Sequence, residues 1–490
     1  MIFDPSALPA IEAPAAQRGQ FHFRDEAVLG TRLNLFVSAG NGDQALEAAR
    51  AARAEIDRLN LVFNSRLRSS ELFQLNSSNE HVASPDLFAA IEAAERWRVA
   101  TGDAFSPRLG RLLDHWRGAG HALPDRARAK RLAEAAARAR VELDPATRTI
   151  IRPDMVRFAL DGFAKGWIVD AALSQMLVCE GVTGALVDIG GDIACGGKPP
   201  EGGWTVGIPD PLLPFDNAPL VASVSLQGGG IATSGRGPRD RMVAGQRLSP
   251  TLSPRNGWTV EHTVSASAVA RTAADADALA TALMVLPRGD ACALVCALPH
   301  AGARVTARDG AAVAAGVWHA LEQPEVLRVQ SAPASATTWF KGWQALATFT
   351  APRRQLMRDP DFRSPYMVMW VTDMQNKPVR TLILIGKRED WHADNYIWWQ
   401  MNRAKVTKFV ATRSMSTSGA GVYNVFWDGV DDTGKPVAPG TYILHVETSR
   451  ERGKHTYRQL TLDFTKAERF NQVLEPTEEG GGLKVTFDHY

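Results

Sequence analysis

The texture of the chain changes near residue 325, and that change rules out a fold with one core. Before it, segments with apolar residues every three or four positions alternate with short unbroken apolar runs, the mixed pattern of helices packed on strands. After it come only short strand-like runs, at 367–372, 380–385, 408–411, 422–427, 442–448 and 459–464. Turn-forming stretches separate them, among them 373–378 and Asp431-Asp432-Thr433-Gly434. Regular short strands without long helices point to a β-sandwich. At 490 residues the chain also exceeds what one ordinary core covers. We therefore expect a leader at 1–20, an α+β domain at 21–325, a linker at 326–340, an all-β sandwich at 341–470 and a partly mobile tail at 471–490.

Charge excludes one class of function. The 55 Lys and Arg nearly balance 53 Asp and Glu, and no basic run stands out, so no nucleic-acid footprint is expected. No apolar stretch is long enough to span a bilayer. The first twenty residues lack the basic-then-apolar pattern of an export signal. Cys179, Cys195, Cys292 and Cys296 show no zinc or CxxC spacing and are expected to be buried thiols.

Within the first domain, Asp43 is expected to cap a helix with the apolar stripe Leu46, Ala49, Ile56, Leu59 and Phe63. Ser84-Pro85 opens another helix. A third spans about 166–181 and a last one about 272–286, and 185–189 reads as a buried strand. Four constellations carry possible chemistry. Asp277 and Thr281 are four apart on the last helix, so a carboxylate and a hydroxyl share one face, as Mg²⁺ requires of its oxygen ligands; an acidic residue complementing the helix dipole is the plainer alternative. Lys165, between Ala164 and Gly166 at a helix start, can hold a phosphate, or simply mark a loop-to-helix junction. Gly190-Gly191-Asp192 after the buried strand lets a backbone approach a ligand, or is only a tight turn. Thr233-Ser234-Gly235, followed by Arg236, Arg239, Arg241, Arg247 and Arg255, offers hydroxyls and guanidinium groups to a diphosphate, or a solvated basic face.

The order of these segments resembles the flavin transferase (ApbE) family across about 21–321. Leu29-Gly30-Thr31 is similar to that family's Met-Gly-Thr, Ser70-Glu71-Leu72 with Leu75-Asn76 to its Ser-Glu-Leu…Leu-Asn, and 101–105 to its Thr-Gly-Gly-Ala-Phe. The Lys165 segment, the Gly-Gly-Asp turn with Trp204-Thr205-Val206-Gly207-Ile208, the Thr-Ser-Gly and Ala276-Asp277-Ala278-Leu279-Ala280-Thr281 follow in family order. The resemblance implies that FAD is bound and its pyrophosphate split with Mg²⁺, with FMN passing to a Ser or Thr of an acceptor protein. It implies Asp277, Thr281 and the Ala164 carbonyl as metal ligands. Leu29, Gly30, Thr31, Lys165, Gly190, Gly191, Asp192, Thr233, Ser234 and Gly235 would line the FAD site, with Lys165 and Asp161 nearest the reaction.

Departures qualify this. The family's His falls on Pro250 and its Asp on Ser253, Ser106 follows Phe105 in place of Asp, and Asp161 stands where Gly or Asn is usual. A proline supplies no proton-transfer group. An FAD diphosphatase and a non-catalytic FAD-binding or scaffold protein are therefore the alternatives to FAD:protein FMN transferase. Residues 340–465 resemble a family of unknown function that accompanies flavin transferases, and the immunoglobulin-like part of flagellar hook-capping proteins, through Trp427-Asp428-Gly429 and Gly440-Thr441-Tyr442. Asp428, Asp431 and Asp432 are expected to serve turns rather than Ca²⁺. The second domain is expected to be separable and to dock an acceptor or redox partner through Trp391, Tyr396, Trp398 and Trp399. Thr412 is expected to be an ordinary strand residue, since Val406 stands where a flavin-acceptor segment carries Asp. The resemblance points to the periplasm, with a cytoplasmic protein as the alternative.

Overall fold

The computed structural model describes residues 19–213, 215–237, 240–323, 339–340, 343–351, 366–385, 395–402, 412–413, 421–450, 454–477 and 480–489. In the first domain eight strands lie side by side in the order Gln20–Val28, Thr31–Ala39, Val182–Ile189, Asp192–Gly197, Gly229–Gly235, Thr263–Ala270, Gly302–Ala307 and Ala312–Gly316. Every neighbouring pair is antiparallel. Side chains alternate between the two faces of such a sheet. Leu33, Leu35, Val37, Ala185, Val187 and Ile189 pack under helices Gly42–Phe63, Ala164–Leu177 and Ala273–Val285. Leu186, Ile193, Cys195 and Ile231 pack on the opposite face against strands Trp204–Pro209 and Leu220–Leu226 and against Trp318. Both faces are buried, which is why 185–189 reads as an unbroken apolar run rather than an alternating one.

Caps set the helices. Ser84 caps Pro85–Ala100 and Thr272 caps Ala273–Val285, each side chain accepting a backbone N–H three residues on. Gly42–Phe63 is capped by Asn41, whose side chain accepts from the Gln44 amide at 3.0 Å, and not by Asp43, which lies in the first turn. The third helix is Ala164–Leu177, starting two residues earlier and ending four residues earlier than expected. Another helix, Arg288–Ala297, follows the one expected to be last. Of the four cysteines, all free, only Cys195 is buried; Cys296 is exposed.

The second domain is a sandwich of two four-stranded antiparallel sheets. One runs Val422–Trp427, Trp343–Thr350, Gly482–His489, Phe470–Leu474; the other Pro378–Ile385, Tyr366–Asp373, Thr441–Ser449, Thr456–Asp463. A shared core of Phe349, Tyr423, Val425, Leu483 and Phe487 from the first and Met367, Met369, Leu444 and Val446 from the second joins them. The expected tail therefore holds two strands of the sandwich: Leu483, Val485 and Phe487 alternate inward and are at most 1% exposed. Residues 326–338 of the expected linker lie outside the described residues, and Trp339 already belongs to the sandwich, its ring 4.3 Å from that of Phe464 and 4.7 Å from that of Trp427. The expected strand 408–411 and Trp391 also lie outside the described residues.

Of the aromatics expected to dock a partner, Tyr396 is exposed, Trp399 is half-buried and Trp398 is buried. Trp398, on helix Tyr396–Asn402, is 1% exposed and packs with Val368, Trp370 and Ile397 on the outer face of the second sheet. Asp431 serves its turn as expected, accepting from the amides of Thr433 and Lys435, whereas Asp432 accepts from the Thr381 amide and Asp428 pairs with Arg380 at 2.7 Å, both partners on strand Pro378–Ile385. No helix among the described residues is long and apolar enough to cross a membrane.

Candidate functional site

Two tight turns lie together at one end of the main sheet. Val28 pairs with Thr31 across Leu29 (φ 50°) and Gly30 (φ 79°), and Ile189 pairs with Asp192 across Gly190 (φ 60°) and Gly191 (φ 95°). Two successive left-handed residues match the right-handed twist of flanking strands. Glycine adopts that conformation freely; Leu29 does so only under strain, and strain of this kind concentrates at functional sites. The Gly190 amide donates to the Arg32 carbonyl at 3.0 Å, which ties the two turns to each other. Behind them Asp188 accepts from the Gly191 amide at 2.9 Å and from the Asn34 side-chain amide at 3.2 Å, and the Asn34 oxygen accepts from the His22 ring at 3.2 Å. Thr31 is fully buried, and its hydroxyl has no hydrogen-bond partner among the described residues.

Lys165 stands in the first turn of Ala164–Leu177, and its ammonium pairs with the buried Asp192 carboxylate. The helix N-terminus and the glycine turn thus converge at the Lys165 ammonium. This helix crosses Ala273–Val285 at very short range: a Cβ on Gly166 would lie 2.3 Å from the Ala273 carbonyl oxygen. Asp170, one turn further on, accepts from the Ala273 and Ala274 amides at 2.8 and 2.9 Å. Burial pushes its carboxyl up to about 6, against the pull of those two amides. The start of the second helix is thereby fixed against the first. On that second helix Asp277 is 3% exposed, and Thr281 shares a hydrogen bond with Ser234 at 3.1 Å. The 161–164 segment passes directly beside Thr281, since a Cβ on Gly162 would lie 2.7 Å from its hydroxyl oxygen. Asp161 is exposed at the rim of this segment.

Most of the expected site residues therefore meet, with one exception. Strand alternation sends Ser234 to the helix face and Thr233 to the other, where its hydroxyl bonds Ser267 at 2.8 Å. Thr233 reaches the site only through its backbone. The arginines are also less available than their number suggests. Arg236 pairs with Glu261 at 3.1 Å and Arg247 with Asp240 at 2.8 Å, while Arg239 lies outside the described residues. Arg255 donates to the Gly102 carbonyl at 3.3 Å, which joins the 101–105 loop to the 249–257 loop. In that second loop Ser253 bonds Trp258 and Gly257 through its own backbone, and Pro250 is half-buried. Asn76 is structural: its side chain exchanges two hydrogen bonds with the Phe158 backbone, at 2.9 and 2.7 Å, and so fixes the segment leading into Lys165.

Among the described residues no group of three His, Cys, Asp or Glu side chains comes together as a metal cage. The residues expected to hold Mg²⁺ are of another kind: one buried carboxylate, one hydroxyl and a backbone segment alongside. All are oxygen donors, and Mg²⁺ is commonly held by one or two carboxylates together with substrate phosphates and water. The donor set fits that ion. Sequence reasoning missed Asp170, Asp188 and Asn34: Asp170 accepts from the Ala273 and Ala274 amides, Asp188 from the Gly191 amide, and Asn34 donates to Asp188, bonds between distant segments that no spacing signals.

Residues 29–304 match the model of the ApbE family, and 350–481 match a family described as a predicted periplasmic protein (DUF2271). The chain is 30% identical over 299 residues to the FAD:protein FMN transferase of Treponema pallidum, covering 56% of this chain and 82% of that protein. It is 28% identical over 212 residues to one from Klebsiella pneumoniae, covering 42% of this chain and 64% of that relative's length. The crystal structure of the Thermotoga maritima ApbE protein superposes with a TM-score of 0.56 at 25% identity, over 62% of this chain and 99% of that one. The paired glycine turns, the crossed helices and these matches agree, and the chain belongs to the ApbE family of flavin transferases, extended by a C-terminal β-sandwich.

Proposed function

We propose that this protein is an Mg²⁺-dependent FAD:protein FMN transferase acting in the periplasm on a Ser or Thr of an acceptor protein. The observation that carries the reading is the convergence of the Lys165–Asp192 pair, at a helix N-terminus beside two left-handed turns, with the Asp277 and Thr281 helix. Lys165, at the helix N-terminus beside the turns, binds and orients the FAD diphosphate and offsets its negative charge. Asp277, Thr281 and the Ala164 carbonyl hold Mg²⁺, which when bound neutralises charge building on the diphosphate. Asp170 holds the two helices in the register that lets those three oxygens converge. Asp161, exposed at the rim, faces the side from which an acceptor hydroxyl enters.

A second reading is favoured by one feature. Pro250 and Ser253 supply no acid or base in the loop where the family carries His and Asp, and Ser253 is engaged within its own loop. The protein then cleaves FAD with water as acceptor, or binds it without cleavage. Incubation of the full chain with FAD and Mg²⁺ separates the three: flavinylated acceptor plus AMP, free FMN plus AMP, or neither. Asp277→Ala is expected to abolish the Mg²⁺-dependent release of AMP, because it removes the one carboxylate assigned to the ion. AMP release at the unaltered rate in that variant would remove Asp277 from the metal site.

A further inference from the structure

The sandwich reaches the flavin-side turns from behind. Tyr423, 2% exposed, packs its ring against two guanidinium groups of the first domain, Arg24 at 5.0 Å and Arg32 at 4.1 Å from its ring centre. Its hydroxyl donates to the Glu26 carboxylate at 3.0 and 3.1 Å, and Arg24 pairs with Glu26 at 2.6 Å. Arg32 pairs with Asp216 at 2.6 Å, and Asp216 accepts from the Asn424 amide at 2.7 Å and donates its own amide to the Asn424 carbonyl. Asn217 forms the same two-way bond with the Phe426 backbone, at 2.7 and 3.0 Å. Two cations, two carboxylates and one tyrosine thus form a charge-balanced cluster sealed between the domains.

Arg32 links this cluster to the site. It follows Thr31 directly, and its carbonyl is the acceptor for the Gly190 amide. We propose that Tyr423 is a positioning residue that acts through Arg32 to hold the 29–31 and 190–192 turns in their ligand-ready form, so that the sandwich is part of the flavin site's support. A cation on an aromatic face and in a buried ion pair has few alternative positions. With the ring removed, both guanidinium groups keep their carboxylates but lose the aromatic face that confines them, and the strut at residue 32 loosens. Linkage makes the effect reciprocal: FAD on the turns tightens the domain contact. The role rests on the flavin reading of the turns given above.

The test uses the full chain and two readouts: the FAD dissociation constant from flavin fluorescence, and hydrogen exchange of peptides covering 29–36 and 184–197 without FAD. Tyr423→Ala and, from the other side, Arg32→Gln are compared with Tyr423→Phe, which keeps the ring, and with Val485→Ala, which weakens the sandwich core away from the contact. The Ala and Gln variants are expected to weaken FAD binding about tenfold or more and to speed exchange at the glycine turn, while the Phe and Val485 variants stay within about threefold. Binding in Tyr423→Ala within about twofold of the unaltered chain, or an equal loss in Val485→Ala, would reduce the contact to a plain structural one. If the unaltered chain fails to bind FAD, the flavin reading falls. The exchange measurement then still decides the clamp, which unchanged exchange at 184–197 in Tyr423→Ala overturns.

Discussion

At the scale of single residues, chemistry turns on which groups hold a proton and which hold a charge. Lys165 and Asp192 bury an ion pair where a phosphate is expected, so the lysine is held in place before any ligand arrives. Asp277 and Thr281 were legible from their spacing of four, because that spacing puts them on one helix face whatever surrounds them. Thr233 shows the converse: adjacent residues on a strand face opposite ways, so its hydroxyl turns to Ser267, and only the strand assignment reveals it. Pro250 defines the sharpest residue-scale prediction. A general base contributes ~10²–10⁴-fold, so transfer to an acceptor hydroxyl by the unaltered chain is expected to be slow. Pro250→His combined with Ser253→Asp is expected to raise the rate of FMN transfer by at least tenfold on that scale, read by mass spectrometry of the acceptor. A robust rate without the substitution, or no gain with it, would mean that another group takes the proton.

Among the elements, the crossing of Ala164–Leu177 over Ala273–Val285 matters most, because the proposed metal ligands sit on both. Close approach depends on the missing side chain at Gly166, which faces the Ala273 carbonyl. Gly166→Ala forces the helices apart and is expected to cost about 1–3 kcal/mol in chemical denaturation, the usual penalty for overpacking. It should also cut Mg²⁺-dependent AMP release more than it weakens FAD binding, since the ligands separate while the turns remain. Equal losses of both would mean that the crossing supports the fold alone. Element types were largely readable: Ser84 announced its helix, and the 422–427 run is a strand as expected. The strand 482–489 was missed although Leu483, Val485 and Phe487 alternate, because the glycine-rich stretch before it reads as a loose end. Its partner is Trp343–Thr350, more than 130 residues away, and no local pattern announces such a pairing.

For the molecule as a whole, two domains in contact carry groups that respond to acid in opposite ways. In the sandwich, His445 is fully buried between Trp370 and Tyr457, bonded to the Thr372 hydroxyl at 2.8 Å and the Tyr457 hydroxyl at 2.7 Å. Burial pushes its imidazole down to about 3, so it stays neutral when folded, whereas unfolded it takes up a proton near 6.5. Between those values the unfolded chain binds more protons, and the sandwich loses up to about 1.4 kcal/mol per pH unit as pH falls. Asp170 runs the other way. Its carboxyl is raised from 3.8 to about 6, so the folded form binds more protons in that window and its contribution is lost as pH rises through it. Mild acid is therefore expected to weaken the sandwich and leave the crossed helices firm. Hydrogen exchange at pH 4.5 and pH 7, compared after correction for intrinsic rates, should show protection of the 441–449 strand falling relative to that of the 273–285 helix. His445→Gln should remove most of that difference, and Asp170→Asn should leave the sandwich's part of it unchanged. Protection falling equally in both domains, or a difference that survives His445→Gln, would place the acid-sensitive group elsewhere.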